Sequence, residues 1–99
     1  MVKITVNFYG VVKATLAEPR VEIEMPEVFS VRQLLDSLRK KCGEKFAESV
    51  VDEYGIPRPH VRMFINKEVV DNYNLDSEWK ISGSEAESSI LVLPTSEGG

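Results

Sequence analysis

The chain has 99 residues, of which 42% are apolar and 28% charged, and a single cysteine. This length and composition are typical of one globular domain with one core. The formal charge of −4 argues against nucleic acid and anionic membranes as the main partners, because both bind cationic faces.

The first segment alternates apolar and polar residues from Val2 to Phe8, which is the period of a half-buried strand. A secretion signal needs a continuous apolar stretch instead, and no run approaches the ~20 apolar residues that span a bilayer. Cys42 stands alone and cannot form an internal disulfide. Together these features predict a cytoplasmic protein.

A second strand is predicted after a short connection. Gly10 ends the first strand, and residues 11–20 connect the two, with Pro19 among them. Residues 21–25 then alternate again and stop at Pro26. Two strands joined by so short a connection are expected to pair antiparallel.

The clearest helix is predicted over residues 31–42. Ser30 is a favourable N-cap, and Gln33 completes a capping box. The basic run 39–41 suits the negative end of the helix and is expected to be solvated. Gly43 is expected to end the helix in the left-handed conformation. The spacing of one buried face is met by Val31, Leu34, Leu35, Leu38 and Cys42.

A weaker helical turn is expected over Phe46, Val50 and Val51. A loop containing His60 leads to a third alternating strand, residues 61–65, in which Phe64 should point away from the helix. A tight turn at Asn66-Lys67 and a short strand at 68–70 should follow.

Residues 71–89 are mostly polar and are predicted to be mainly loop, attached to the core through Trp79 and Ile81. Residues 90–93 predict a final buried strand. The order of elements predicts an α+β fold, a mixed sheet of four to five strands packed on one main helix. Its domain covers residues 1–94, and residues 95–99 form a flexible tail.

The side chains offer little for catalysis. Cys42 lies on the predicted buried stripe, where a thiol behaves as a small hydrophobe. His60 has no second histidine or cysteine nearby, so no metal set or iron–sulfur site is expected. The acidic residues fall on outward strand positions or in loops, where their usual role is solubility. A conventional enzyme is therefore not expected.

The end of the sequence is more informative. Two glycines in the last two positions arise by chance about once in 200 chains. Residues 94–99 could reach about 20 Å when extended, and Gly98 and Gly99 could pass through a narrow channel because they have no Cβ. A terminal carboxylate is an anion at neutral pH and a poor electrophile. A partner would first have to activate it, with ATP as the natural reagent.

The chain resembles the ubiquitin-like β-grasp family, specifically its MoaD/ThiS-type sulfur carriers and their archaeal modifier relatives. The similar segments are Val2-Lys3-Ile4-Thr5-Val6, Ser30-Val31-Arg32-Gln33-Leu34-Leu35, Phe64-Ile65-Asn66-Lys67-Glu68, Leu91-Val92-Leu93-Pro94 and Gly98-Gly99. The resemblance covers essentially the whole chain, and the terminal glycine pair is its specific element.

The resemblance implies a non-catalytic carrier that binds no cofactor. A ubiquitin-activating-like enzyme would use ATP to adenylate Gly99, with Gly98 as spacer, and sulfur would then give a thiocarboxylate for molybdopterin synthesis. The sheet face beside the tail, with Phe64, Leu93, Pro94 and Thr95, would bind partners such as the activating enzyme or the large subunit of molybdopterin synthase.

Two alternatives stay open. The chain could be a modifier joined through Gly99 to lysines of a target protein, or a ubiquitin-like binding module with an inert tail. Two departures from the family bear on the partner. Residues 83–89 replace the usual Asp-Gly-Asp-like turn, and Pro94-Thr95 replaces a Pro-Pro pair.

Overall fold

The computed structural model describes residues 1–10 and 20–92. It contains seven strands and two helices in those ranges. The strands are β1 (Val2–Gly10), β2 (Arg20–Met25), β3 (Val28–Ser30), β4 (Val61–Ile65), β5 (Glu68–Val69), β6 (Glu78–Lys80) and β7 (Glu85–Val92). The helices are α1 (Val31–Cys42) and α2 (Glu44–Val50). The predicted connection was 11–20. Its residues 11–19 lie outside the described residues, and Arg20 already belongs to β2.

Five strands form the main sheet in the order β2-β1-β7-β4-β5. β1 pairs antiparallel with β2 and parallel with β7, and β7 pairs antiparallel with β4. One face of this sheet packs on α1 through alternate residues of β1, β2, β4 and β7, such as Val2, Ile4, Val6 and Phe8 of β1. The predicted α+β, β-grasp architecture is confirmed.

Helix α1 begins and packs as the sequence predicts. The Ser30 hydroxyl accepts a hydrogen bond from the Gln33 N–H at 3.2 Å, and the Gln33 side chain accepts from the Ser30 N–H at 2.8 Å. Val31, Leu34, Leu35 and Leu38 are buried against the sheet. The expected left-handed helical end of α1 is wrong. Gly43 has φ +95° and ψ 178°, so its ψ is extended, and its positive φ favours glycine at this position.

The predicted second helical turn is confirmed as α2, which buries Phe46 and Val50. Val51, expected on the same turn, follows the helix in an extended conformation. Phe46 meets Phe8 of β1 edge to face, with ring centroids 5.5 Å apart. The tight turn at Asn66-Lys67 is also confirmed, and both residues have positive φ.

The expectation of a loop over most of residues 71–89 is wrong in two places. β6 lies within it and pairs with β3, placing Trp79 opposite Phe29. β7 begins at Glu85 rather than Ile90, so Gly83-Ser84 alone precede it as a turn. Its inward residues Ala86 and Ser88 are small, so the alternation of apolar and polar residues that marks a strand is not visible in the sequence. Ser88 can be buried because its hydroxyl donates to the Phe64 carbonyl at 2.7 Å.

Candidate functional site

The end of β7 positions the predicted site. β7 lies in the middle of the sheet, and Val92 is aligned with Gly10 of β1 and Val61 of β4. The last described residue therefore belongs to the central strand of the sheet. Five predicted site residues follow this point and lie outside the described residues, where their roles stay predictions: Leu93, Pro94, Thr95, Gly98 and Gly99.

We call the sheet face opposite α1 the outer face. The register between the strands determines which side chains are neighbours on it. Successive rows run across the sheet as Tyr9–Leu91–Arg62, then Arg20–Asn7–Ser89–Phe64–Val69, then Glu22–Thr5–Glu87, then Glu24–Lys3–Glu85. Directly paired residues point to the same face of a sheet, so each row is a line of neighbouring side chains.

The two rows nearest the end of β7 contain an apolar patch, defined as Tyr9, Phe64, Val69 and Leu91. Phe64 points away from α1 as predicted, since Met63 and Ile65 on either side of it are buried in the core. Val69 lies opposite Phe64 and is 64% exposed, and Tyr9 is 50% exposed. Apolar side chains grouped on one face provide the desolvated centre that a protein interface needs.

The two rows farthest from the end of β7 contain an acidic strip, defined as Glu22, Glu24, Glu85 and Glu87. Lys3 lies among them, with its Nζ 3.7 Å from a Glu85 oxygen and 3.9 Å from a Glu22 oxygen. Lys67 also borders the groove lined by Glu85 and Glu87. Two cations against four carboxylates leave this half of the face negative. The outward position of Glu22 and Glu24 was predicted, whereas Glu85 and Glu87 were wrongly expected in a loop.

Cys42 and His60 are the side chains that the sequence raised as candidates for catalysis or metal binding. Burial raises the pKa of the Cys42 thiol against the opposing effect of Lys41, which keeps the thiol protonated and unreactive. Cys42 is half-buried against the core, as its helix position predicts. His60 is half-buried just before β4. No group of three or more potential metal ligands occurs in residues 1–10 and 20–92.

One ion pair links α1 to the segment before β6, and another links α1 to α2. The Arg32 guanidinium donates to Asp76 at 2.8 and 3.3 Å, and this hydrogen bonding lowers the pKa of Asp76. Arg39 donates to Glu44 at 2.8 and 3.1 Å and lowers the pKa of Glu44 in the same way. The basic run is exposed, as expected from the sequence. Two of its residues also form surface ion pairs, since Lys40 lies 3.3 Å from Asp36.

Known structures of similar proteins share this architecture. Two crystal structures of small archaeal modifier protein 1 from Haloferax volcanii match with TM-scores of 0.73 and 0.76, at 15% and 13% identity, over 98% and 95% of this chain and 99% and 100% of theirs. A molybdopterin converting factor, subunit 1, from Pyrococcus furiosus matches with a TM-score of 0.67 and 26% identity, over 95% of this chain and 100% of its own.

The chain has the ubiquitin-like β-grasp fold. The resemblance drawn from its sequence is confirmed by these neighbours, each of which it matches along nearly its full length. No protein-family model matches the sequence, and no curated protein matches it either. Neither helix within the described residues of this ubiquitin-like chain is long and apolar enough to cross a membrane.

Proposed function

We propose that this ubiquitin-like protein is a carrier whose Gly99 carboxylate is activated by a partner enzyme. The observation that supports this most is the position of β7. The described part of this central strand ends at Val92, next to the rows that contain the apolar patch. A partner that binds the patch would have the tail within reach of its own active site.

The chemistry belongs to the partner. The Gly99 carboxylate attacks the α-phosphorus of ATP, an acyl–adenylate bond forms, and pyrophosphate leaves. Hydrosulfide then attacks the acyl carbon, the acyl–phosphate bond breaks and AMP leaves, which gives a thiocarboxylate. The carrier supplies the carboxylate and the surface that is recognised, so it needs no catalytic side chain and no bound cofactor of its own.

The outer face is the proposed docking surface. Phe64, Tyr9, Leu91 and Val69 would supply its desolvated centre, and Leu93, Pro94 and Thr95 would continue the contact along the tail. Aromatic anchors at the centre of an interface commonly contribute about 2 kcal/mol or more to binding. Replacing Phe64 by alanine should therefore weaken activation much more than replacing the exposed Tyr54 on the loop after α2.

We infer that the thiocarboxylate donates sulfur in molybdopterin synthesis, with the large subunit of the synthase as second partner. The likeness to a molybdopterin converting factor subunit, at 26% identity, supports this use. A second candidate is conjugation of Gly99 to lysines of a target protein. The higher TM-scores of the archaeal modifier structures support it.

The test is intact-mass spectrometry after incubation with ATP, a sulfide source and an activating enzyme of this family. The carrier reading expects a mass increase equal to the exchange of one oxygen for sulfur. Deletion of Gly98-Gly99 should abolish this increase while circular dichroism shows an unchanged fold. A covalently attached protein instead would establish the modifier role. No change, with an enzyme that activates its own carrier, would leave only a binding module.

A further inference from the structure

A cavity with an apolar floor lies between α1 and α2, on the helical side of the sheet. Its volume is about 160 Å³. The apolar side chains that line it are Leu35, Phe46, Ala47 and Val51. An apolar cavity of roughly 150 Å³ can hold a benzene ring, so this cavity has room for one aromatic side chain.

Two arginines border this cavity from α1. Arg32 and Arg39 are seven residues apart, which is about two turns of the helix. Arg32 donates to Asp76 through its Nε and Nη2 atoms. Arg39 donates to Glu44 through the same two atoms. These bonds use the edge of each guanidinium group, whereas aromatic rings stack on its planar faces. The rim therefore favours an aromatic side chain over an aliphatic one.

A second cavity, of about 280 Å³, adjoins the first and is acidic. The two cavities share the residues Arg39, Ala47, Val51 and Gly55 in their walls. The second is also lined by Arg58 and by the carboxylates of Glu44, Glu48, Asp52 and Glu53. Glu48 and Glu53 form no ion pair with any described residue. Four carboxylates against two guanidinium groups make the second cavity negative. We call the two cavities together the helical groove.

The two halves of the helical groove determine the chemistry of a segment that fits it. An aromatic ring would fill the apolar cavity, and a lysine or arginine would pair with Glu48 and Glu53 in the acidic one. Because the cavities share a wall, the two side chains must leave the segment on the same side. In an extended segment such residues are two positions apart.

A second copy of this chain does not supply such a segment through its most exposed aromatic residues. These are Tyr54 and Tyr73, which are 76% and 85% exposed. Neither has a lysine or arginine within two positions on either side. The complementary segment therefore belongs to a different protein.

We propose that the helical groove binds a segment of a partner protein in which an aromatic residue lies two positions from a lysine or arginine. The groove is formed by the helices, and the outer face is on the other side of the sheet. Both surfaces can therefore be occupied at once, and binding in the groove does not depend on activation of Gly99.

The test is an NMR titration of the ¹⁵N-labelled full chain with the capped peptide Ser-Lys-Ser-Phe-Ser-Lys-Ser. The amide signals of Ala47, Val51 and Gly55 should shift, and those of Thr5 and Phe64 on the outer face should not. The matched control peptide has alanine in place of phenylalanine. It should bind roughly tenfold more weakly, because the apolar cavity stays empty.

Two variants of the protein test the two halves of the groove. Ala47→Leu places a larger side chain in the apolar cavity and should abolish binding, with circular dichroism to check the fold. Glu48→Lys combined with Glu53→Lys changes exposed positions only and should weaken binding roughly two- to tenfold. The control for charge is Glu24→Lys combined with Glu68→Lys, at exposed positions of β2 and β5. It should change the dissociation constant by less than about twofold at physiological salt.

Three results would overturn the proposal. The first is unchanged signals of Ala47, Val51 and Gly55 at millimolar peptide. The second is a set of shifts confined to the outer face, which would assign the peptide to the acidic strip. The third is a shift of the groove signals when the protein alone is concentrated, which would assign the groove to a second copy.

Discussion

Lys67 is held in a backbone conformation that suits glycine better. It is the second residue of the two-residue turn between β4 and β5, and its φ is +70°. Hairpins of this kind favour Asn-Gly because both turn residues need positive φ. Asn66 meets that need and also ties the turn to β7, since its side-chain oxygen accepts from the Glu87 N–H at 3.2 Å.

Lys67→Gly should therefore stabilise the protein. A left-handed L-residue costs roughly 1–2 kcal/mol, and glycine gives back roughly 0.5–1 kcal/mol through unfolded-chain entropy. The net gain of about 0.5–1 kcal/mol should raise the unfolding temperature by roughly 2–8 °C. Asn66→Ala is the contrasting variant and should lower the unfolding temperature. Alanine tolerates a positive φ less well than asparagine and cannot accept the hydrogen bond from the Glu87 N–H. A lower unfolding temperature for Lys67→Gly would show that the lysine side chain stabilises the turn.

A backbone hydrogen bond and an ion pair hold the segment 71–77 against α1. The Arg32 N–H donates to the Leu75 carbonyl at 3.1 Å, and the Arg32 side chain holds Asp76. Because the pair lowers the pKa of Asp76 in the folded state, its contribution to stability is present above the ordinary aspartate pKa. It is lost as pH falls through the lowered value.

Asp76→Asn should therefore lower the urea midpoint at neutral pH, and the difference from the parent protein should close as pH falls below about 3.9. The measurement is urea unfolding followed by circular dichroism at neutral and acidic pH. Glu53→Gln is the control, because Glu53 makes no ion pair within the described residues and should not show the same closing difference. A constant difference at all pH values would mean that packing, not charge, fastens the segment.

The sequence predicted those elements whose own pattern determines them. The capping box at Ser30 and the stripe from Val31 to Leu38 are local, so α1 was placed correctly. β3 and β6 were missed because each is three residues long and stable only through pairing with the other. The first half of β7 was missed because Ala86 and Ser88 are inward yet small or polar, so the periodicity of the strand is invisible until its neighbours are known.

The residues of the candidate site were likewise predicted only where the local sequence pattern was clear. Phe64 was found because it interrupts a clear alternation in β4. Leu91 was not, because it stands in a continuous apolar run in which inward and outward residues look alike. Tyr9 and Val69 join the apolar patch only through the register between strands, which pairs Tyr9 with Leu91 and Val69 with Phe64. That register depends on contacts distant in sequence.

The charged residues of the outer face are unevenly distributed. The acidic strip lies at one end of this face, and the apolar patch lies at the other end, next to Val92. A partner surface with a cationic margin would meet the strip before the patch is desolvated, because charge attraction acts over a Debye length of about 8–10 Å. Attraction at the acidic strip, followed by desolvation of the apolar patch, would align the tail with the active site of the partner.

The double substitution Glu85→Gln and Glu87→Gln should therefore raise the KM for the carrier in ATP-dependent activation and leave kcat unchanged, because steering acts on encounter rather than on chemistry. The parent KM should rise with added salt, and the variant should show less of this rise. The control changes the same charge elsewhere, through Glu48→Gln and Glu53→Gln at exposed positions of α2 and the loop after it. If the control raises KM equally, net charge rather than the acidic strip governs the encounter, and the outer face would then bind through its apolar patch alone.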